Sequence, residues 1–230
     1  MNDSKTGKIV DFIIVGSMKS GTTSSHHWLM LSEKISMLRG ESHFFNHLDR
    51  FEKGETEYKK FLPPQSENRL VGDDTPTYSY LSEVPERIHS MVPNVKILWI
   101  LRDPLKRAIS QYWHAARKGV ETRPINQAFA DELNGKTDNI WKLYLHRSCY
   151  KEQIERYLEH FSETKIHFVD FKSFASDDLE EKKRITGFLK IDDIQVATPH
   201  SNETSFFPKE NVNKLLNYAH MHPRLKRYFR

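Results

Sequence analysis

A single cysteine, Cys149, is all the thiol this chain has. That excludes an internal disulfide framework and any multi-cysteine metal site. No apolar run approaches the ~18 residues of a membrane-spanning helix. The N-terminal MNDSKTGK is polar and lacks the apolar centre of a signal peptide. The expectation is therefore a cytoplasmic protein with no membrane partner. No segment repeats, and none reads as low-complexity sequence or as a linker. A large excess of one charge is missing too. The net charge of +4 and the pI of about 9.0 suit an anionic ligand. They are too weak to argue for nucleic acid. His26, His27, His43 and His47 lie close in sequence but form no H-E-x-x-H pattern. They read as polar lining and surface, and no metal site is expected.

What remains is an ordinary globular composition. The 230 residues are 37% hydrophobic and 29% charged, enough for one large α/β domain over residues 1–230 with a sizeable core. The most informative stretch is VDFIIVGSMKSGTTSSHHWLML, from Val10 to Leu31. Phe12-Ile13-Ile14-Val15 is rich in β-branched residues and reads as a buried strand. A short loop follows, opened by Gly16 and closed by Gly21, and Thr22 to Leu31 reads as a helix. Strand, glycine loop and helix together turn backbone N–H groups and a helix dipole toward an anion. Ser20, Thr22, Thr23 and Ser24 add hydroxyls, and Lys19 adds a positive charge. The expected ligand is a phosphate.

Spacing narrows the choice of phosphate. A nucleotide triphosphatase loop, G-x-x-x-x-G-K-[ST], carries its lysine directly after the second glycine. Thr22 holds that position here, and the lysine stands three residues earlier, at Lys19. The arrangement is wrong for ATP.

Further along, Ile35 to Arg39 reads as a strand, and Glu55 to Leu62 as a helix stopped by Pro63-Pro64. Leu70-Val71-Gly72 leads into DDTPTY, a turn-like segment. Val84 to Met91 is helical. Val95 to Leu101 is a near-continuous apolar strand of the kind found in parallel sheets. Asp103 and Pro104 start a helix that runs to about Lys118. Tyr150 to Phe161 is an amphipathic helix, Ile166 to Phe171 a strand and Leu179 to Leu189 a charged helix. The tail from Lys209 to Arg230 reads as a basic helix. Strands separated by helices imply a central parallel sheet flanked by helices, with ligands beyond the carboxyl ends of the strands. Two anion-binding elements fall at such ends. One is the glycine loop. The other is Arg102, with Ser110 two helical turns later, which pairs a planar guanidinium fork with a hydroxyl.

SMKSGTTS resembles the 5'-phosphosulfate loop of the PAPS-dependent sulfotransferases (PAPS is 3'-phosphoadenosine 5'-phosphosulfate). Arg102 with Ser110 resembles their R-x(7)-S element, which binds the 3'-phosphate. GESHFFN resembles the KExxFF segment of the heparan-type branch, matching at Glu41, Phe44 and Phe45, with Gly40 where a lysine often stands. GDDTPTY resembles G-E-x-[ST]-P-x-Y, with Asp73 in place of glutamate, and is expected to line the acceptor side. RSCYKEQIERYLEHF resembles G-x-Y-x-x-Q-L-x-x-W, with Tyr157 in place of tryptophan. SNETSFFPKE, Ser201 to Glu210, occupies the place of the loop that closes over the adenine, without the usual K-G-R. The resemblance points to the heparan-type or bacterial branch rather than the cytosolic aryl branch. It implies a P-loop-like phosphosulfate-binding loop and PAPS as co-substrate, held by Lys19, Ser20, Gly21, Thr22, Thr23, Ser24, Arg102 and Ser110, without a metal. It implies transfer to a hydroxyl or amine of a small-molecule or glycan acceptor. It further implies Glu41 as the general base, Lys19 as the stabiliser of the leaving phosphate and His43 as the alternative base. Two other functions stay open at this point: a nucleotide kinase or NTPase-like protein, and a non-catalytic nucleotide-binding module.

Overall fold

The computed structural model describes residues 9–64, 68–137 and 139–198. The adenine-covering segment and the basic tail helix expected from the sequence lie outside these residues. Backbone contacts gather the described chain into two compact units. The first takes the residues up to Leu101 and those from Gln153 onward, and the second is Arg102–Glu152.

The first unit is built on five parallel strands. These are β1 (Phe12–Gly16), β2 (Ile35–Met37), β3 (Leu70–Asp74), β4 (Lys96–Leu101) and β5 (Ile166–Asp170). Their spatial order is β2-β3-β1-β4-β5. β1 thus lies at the centre, between β3 and β4, and both pairings are parallel. The chain builds outward from β1 first to one side and then to the other, so its carboxyl end is a topological switch point.

Side-chain alternation along the strands divides the core in two. Ile13 and Val15 of β1 and Ile97 and Trp99 of β4 face one side. They pack there with Tyr58 of α3 (Glu55–Lys59), Ile88 of α4 (Val84–Met91) and Tyr157 of α7 (Tyr150–Leu158). Phe12, Ile14, Leu98 and Ile100 face the other side. There they meet Trp28 of α1 (Thr22–Leu29), Phe174 of α8 (Phe171–Ala175) and Ile185 of α9 (Leu179–Leu189). Helices on both faces bury β1 and the interior of β4, which is why these two strands read as continuous apolar runs.

The second unit is helical. α5 (Pro104–Arg117) and α6 (Ile125–Leu133) pack through Leu105, Ile109, Tyr112, Ala128 and Phe129 around Tyr144. Arg107 is buried among them. It donates from Nε to Ser148 Oγ at 2.6 Å, from Nη1 to Gln111 Oε1 at 2.8 Å, and from Nη2 to the Tyr144 carbonyl. Burial lowers its pKa to about 10. Arg107 is thus a structural cation, five residues after Arg102.

The end of β3 differs from expectation. Asp73 and Asp74 read as a turn, but they are the last two residues of β3, paired with Ile13 and Ile14 of β1. Aspartate is a poor strand former. These two are held by partners from elsewhere in the first unit, described below.

Candidate nucleotide and acceptor site

β1 ends at Gly16, and the chain turns through Ser17–Gly21 into α1. The loop is fixed at its start to β4: Ser17 N donates to the Ile100 carbonyl at 2.9 Å, and Trp99 Nε1 donates to Ser17 Oγ at 3.0 Å. Ser20 N closes a turn onto the Ser17 carbonyl at 3.0 Å. Lys19 lies at φ 70, in the left-handed region, a conformation that costs an ordinary residue about 1–2 kcal/mol. Gly21 caps α1 at φ 84, and a Cβ there would stand 2.6 Å from Phe171 Cε2. Only glycine fits both demands.

The first helical bond runs from Ser25 N to the Gly21 carbonyl at 3.0 Å. The amides ahead of it have no partner within the helix. No acidic residue occupies the first turn of α1, so nothing there opposes an anion. Thr22 is buried, Ser24 half-buried and Thr23 exposed. Ser20 is fully buried, and its Oγ has no hydrogen-bond partner among the described residues. A buried hydroxyl left without a partner costs about 1–3 kcal/mol. Its position at the loop's end suits an oxygen of a phosphate or phosphosulfate, so the residues present fit the group that the sequence implied.

Glu41 and His43 lie on the irregular stretch between β2 and α2 (Leu48–Phe51). Glu41 Oε2 is 3.1 Å from His43 Nε2, and both side chains are partly exposed. His43 Nδ1 lies 3.3 Å from Asn46 Oδ1. The hydrogen bond to Glu41 raises the His43 pKa above 6.5, against a smaller opposing effect of burial. Phe44 and Phe45 anchor the stretch from below, Phe44 stacked on Tyr58 with ring centres 4.7 Å apart.

The GDDTPTY segment does not line an acceptor surface. Asp73, Thr75 and Tyr78 are fully buried. Their polar atoms turn inward: Thr75 and Tyr78 accept from backbone amides of Ser42–Phe45, and Asp73 accepts from the Ser42 hydroxyl. Tyr157 and Gln153 are also core, and Tyr157 donates to the Tyr78 carbonyl at 3.1 Å. A pair the sequence did not reveal is His26 with Asp74: Nδ1 and Oδ2 lie 3.4 Å apart. Burial pushes the Asp74 pKa up to about 6, opposed by His26 and reinforced by Asp73 and Glu41. No spacing rule links positions 26 and 74. The parallel pairing of β1 with β3 is what brings α1 and the end of β3 together.

Arg102 and Ser110 belong to the second unit, whereas Lys19, Ser20, Gly21, Thr22, Thr23, Ser24, Glu41 and His43 belong to the first. Arg102 directly follows β4. As expected, Asp103 caps α5, accepting from Lys106 N at 2.8 Å. Tyr150 donates to the Arg102 carbonyl at 2.9 Å, and burial lowers the Arg102 pKa. Ser110 is buried on α5. Among the described residues, no group of three or more His, Cys, Asp or Glu side chains is arranged to hold a metal ion.

Residues 10–228 match the sulfotransferase domain family, and the chain belongs to that family. Heparan sulfate glucosamine 3-O-sulfotransferase 3A1 of Mus musculus is 28% identical over 209 residues, which are 90% of this chain and 52% of that protein. Heparan sulfate glucosamine 3-O-sulfotransferase 6 of Homo sapiens is 30% identical over 199 residues, 85% of this chain and 57% of that one. The chain spans about half the length of the curated relatives it matches. A solved sulfotransferase from Alicyclobacillus acidocaldarius shares the fold with a TM-score of 0.73 and 24% identity, over 94% of each chain. A mouse sulfotransferase complexed with PAP, the 3',5'-bisphosphate, has a TM-score of 0.53 and 17% identity, over 94% of this chain and 90% of that one. The curated relatives compared are heparan sulfate glucosamine 3-O-sulfotransferases, and the solved sulfotransferases share the fold.

Proposed function

We propose that this chain transfers a sulfuryl group from PAPS to a hydroxyl or amine of a small-molecule or glycan acceptor. PAPS supplies an activated sulfuryl group on a phosphate leaving group. The acceptor oxygen or nitrogen forms a bond to sulfur, the bond from sulfur to the bridging phosphate oxygen breaks, and PAP departs. Glu41 takes the acceptor proton, work for which a carboxylate must stand within hydrogen-bond reach. Lys19 stabilises charge growing on the leaving phosphate oxygen. The loop amides, Ser20, Thr22, Thr23 and Ser24 hold the 5'-phosphosulfate, and Arg102 and Ser110 hold the 3'-phosphate. Catalysis is then positioning and fixed electrostatics, as in phosphoryl transfer. A sulfuryl group carries less negative charge than a phosphoryl group, so lysine and backbone donors suffice without a metal.

The observation that carries this reading is the buried, unpartnered Ser20 hydroxyl at an acid-free helix start, beside a lysine in the middle of the loop. The acceptor is inferred from the relatives, whose names place them on heparan sulfate glucosamine. The test is a thermal-shift titration followed by transfer from labelled PAPS to a panel of sugars, alcohols, phenols and amines. PAP is expected to stabilise the protein strongly, equally well with EDTA present. Stabilisation by ATP with Mg²⁺ and not by PAP would move the chain to the kinase class. PAP binding with no transfer to any acceptor class would leave a nucleotide-binding module.

A further inference from the structure

The backbone that carries Glu41 and His43 is irregular, between β2 and α2, yet side chains tie it down at several points. Tyr78 Oη stands at the centre. Phe44 N donates to it at 2.9 Å and Phe45 N at 3.2 Å. Those two bonds occupy the acceptor capacity of a phenolic oxygen, so its own hydrogen is left for Ser42 Oγ, 2.7 Å away. Ser42 Oγ then gives its hydrogen to Asp73 Oδ2 at 2.8 Å. Asp73 also accepts from Tyr58 at 2.9 Å and from Thr75 Oγ1 at 2.9 Å. The direction of every proton in the chain Tyr78 to Ser42 to Asp73 is thereby fixed. From outside, Arg50 Nη1 donates to the Ser42 carbonyl at 2.7 Å, and Arg87 Nη1 donates to the Phe45 carbonyl at 2.9 Å. Ser42 N donates to Thr75 Oγ1 at 3.1 Å. Side chains therefore hold the amide and carbonyl of Ser42, the amide of Phe44, and the amide and carbonyl of Phe45.

Satisfying buried backbone groups explains part of this network. It does not explain why the ties flank the two partly exposed residues. Ser42, Phe44 and Phe45 are fully buried, while Glu41 and His43 between and before them face outward. A shift of the buried residues would carry the 3.1 Å Glu41–His43 contact with it.

We propose that the Tyr78 hydroxyl, acting through Ser42 and Asp73, is a positioning latch that sets Glu41 and His43 for proton removal. The proposal rests on the reading of Glu41 or His43 as the base. A misplacement of about 1 Å costs an enzyme on the order of 10²-fold in rate, so the latch is worth a measurable factor in kcat.

The test compares Tyr78→Phe with Tyr58→Phe. Each removes one hydroxyl from the same buried network, but only the first frees the Phe44 and Phe45 amides. Tyr78→Phe is expected to lower kcat by roughly 10–100-fold, with KM for PAPS and affinity for PAP within about twofold of wild type. Tyr58→Phe should lose a similar amount of thermal stability while keeping kcat within about threefold. A second readout needs no turnover. The His43 imidazole, followed by NMR, should titrate closer to its ordinary value in Tyr78→Phe and as in wild type in Tyr58→Phe. Equal kcat losses that track melting temperature, or an unchanged His43 titration in Tyr78→Phe, would overturn the latch. Full activity in both Glu41→Gln and His43→Gln would remove the base reading instead, and the His43 titration would still decide the latch. Should Tyr78→Phe fail to fold, Ser42→Ala removes the group that orients the Tyr78 hydroxyl, and an unchanged kcat together with an unchanged His43 titration there would overturn the latch.

Discussion

Asp73 and Asp74 are neighbours at the end of β3, and their carboxylates act on opposite faces of the sheet. Asp73 reaches Ser42 and Tyr58, on the side where Tyr58 packs with Ile13 and Val15. Asp74 reaches His26 of α1, on the side where Trp28 packs with Phe12 and Ile14. The alternation of a strand imposes this split. One dipeptide therefore holds both the segment that carries Glu41 and the helix that receives the phosphate loop.

The first prediction follows from Asp74. Its pKa rises on folding from 3.8 to about 6 because its carboxylate is buried. Between those values the folded protein binds more protons than the unfolded chain, so this group's contribution to stability falls as pH rises. Asp74→Asn removes that loss. The variant should melt close to wild type at pH 4 and higher by ~5 °C at pH 7.5, since roughly two pKa units correspond to a few kcal/mol. A variant that melts lower at pH 7.5 would show that ionised Asp74 is a net asset through His26.

Gly21 supplies the second. Alanine there meets a left-handed φ and the Phe171 ring together. Gly119 has φ 69 in the turn that ends α5, and a Cβ added to it would meet nothing within 4 Å, so Gly119→Ala isolates the backbone cost. Chemical denaturation should show a loss of about 1 kcal/mol for Gly119→Ala and clearly more for Gly21→Ala. Only the second should also weaken PAP. Equal losses would mean that Phe171 moves aside freely.

Much of this was legible because both core faces are continuous. Phe12–Val15 and Val95–Leu101 are read as strands from their apolar runs alone, and α4 and α9 fall at the residues that their periodicity marks. The phosphate loop is legible for the same reason: its strand, glycines and helix are consecutive. What stayed hidden depends on residues far apart in sequence. Asp73 and Asp74 look like a turn until Ser42, Tyr58 and His26, 15 to 48 residues away, are seen to hold them. Tyr78 looks like a core aromatic, and its ring is one. Its hydroxyl has a separate task that no pattern of apolar residues encodes.

Arg102 carries the third prediction. A guanidinium already desolvated by burial gains most from a doubly charged phosphate. Arg102→Ala should weaken PAP by roughly 2–4 kcal/mol in isothermal titration. It should weaken adenosine 5'-phosphosulfate, which lacks the 3'-phosphate, far less. Equal losses for the two ligands would assign Arg102 to another part of the nucleotide or to the fold around Tyr150.

The fourth concerns the acid–base pair. Glu41 raises the His43 pKa above 6.5 through their shared hydrogen bond. Because the folded value is the higher one, the stabilisation from this pair is present below the unfolded pKa and fades as pH rises through the folded one. For catalysis the sign is opposite. While His43 is charged it holds the Glu41 carboxylate, so kcat should climb with pH until His43 loses its proton. Glu41→Gln keeps the side chain's shape and removes its basicity. With Glu41 as base, kcat should fall by roughly 10²–10⁴ while PAP affinity barely moves. The loss should be largest for aliphatic alcohols and smaller for acidic phenols, which are partly ionised near neutral pH. In His43→Gln the enzyme should keep most of its activity, and the acidic limb that His43 sets should disappear. The reverse pattern, with Glu41→Gln active and His43→Gln dead, would transfer the base to His43. An acceptor indifferent to both changes but lost with Lys19→Ala would be acidic enough to need no base at all.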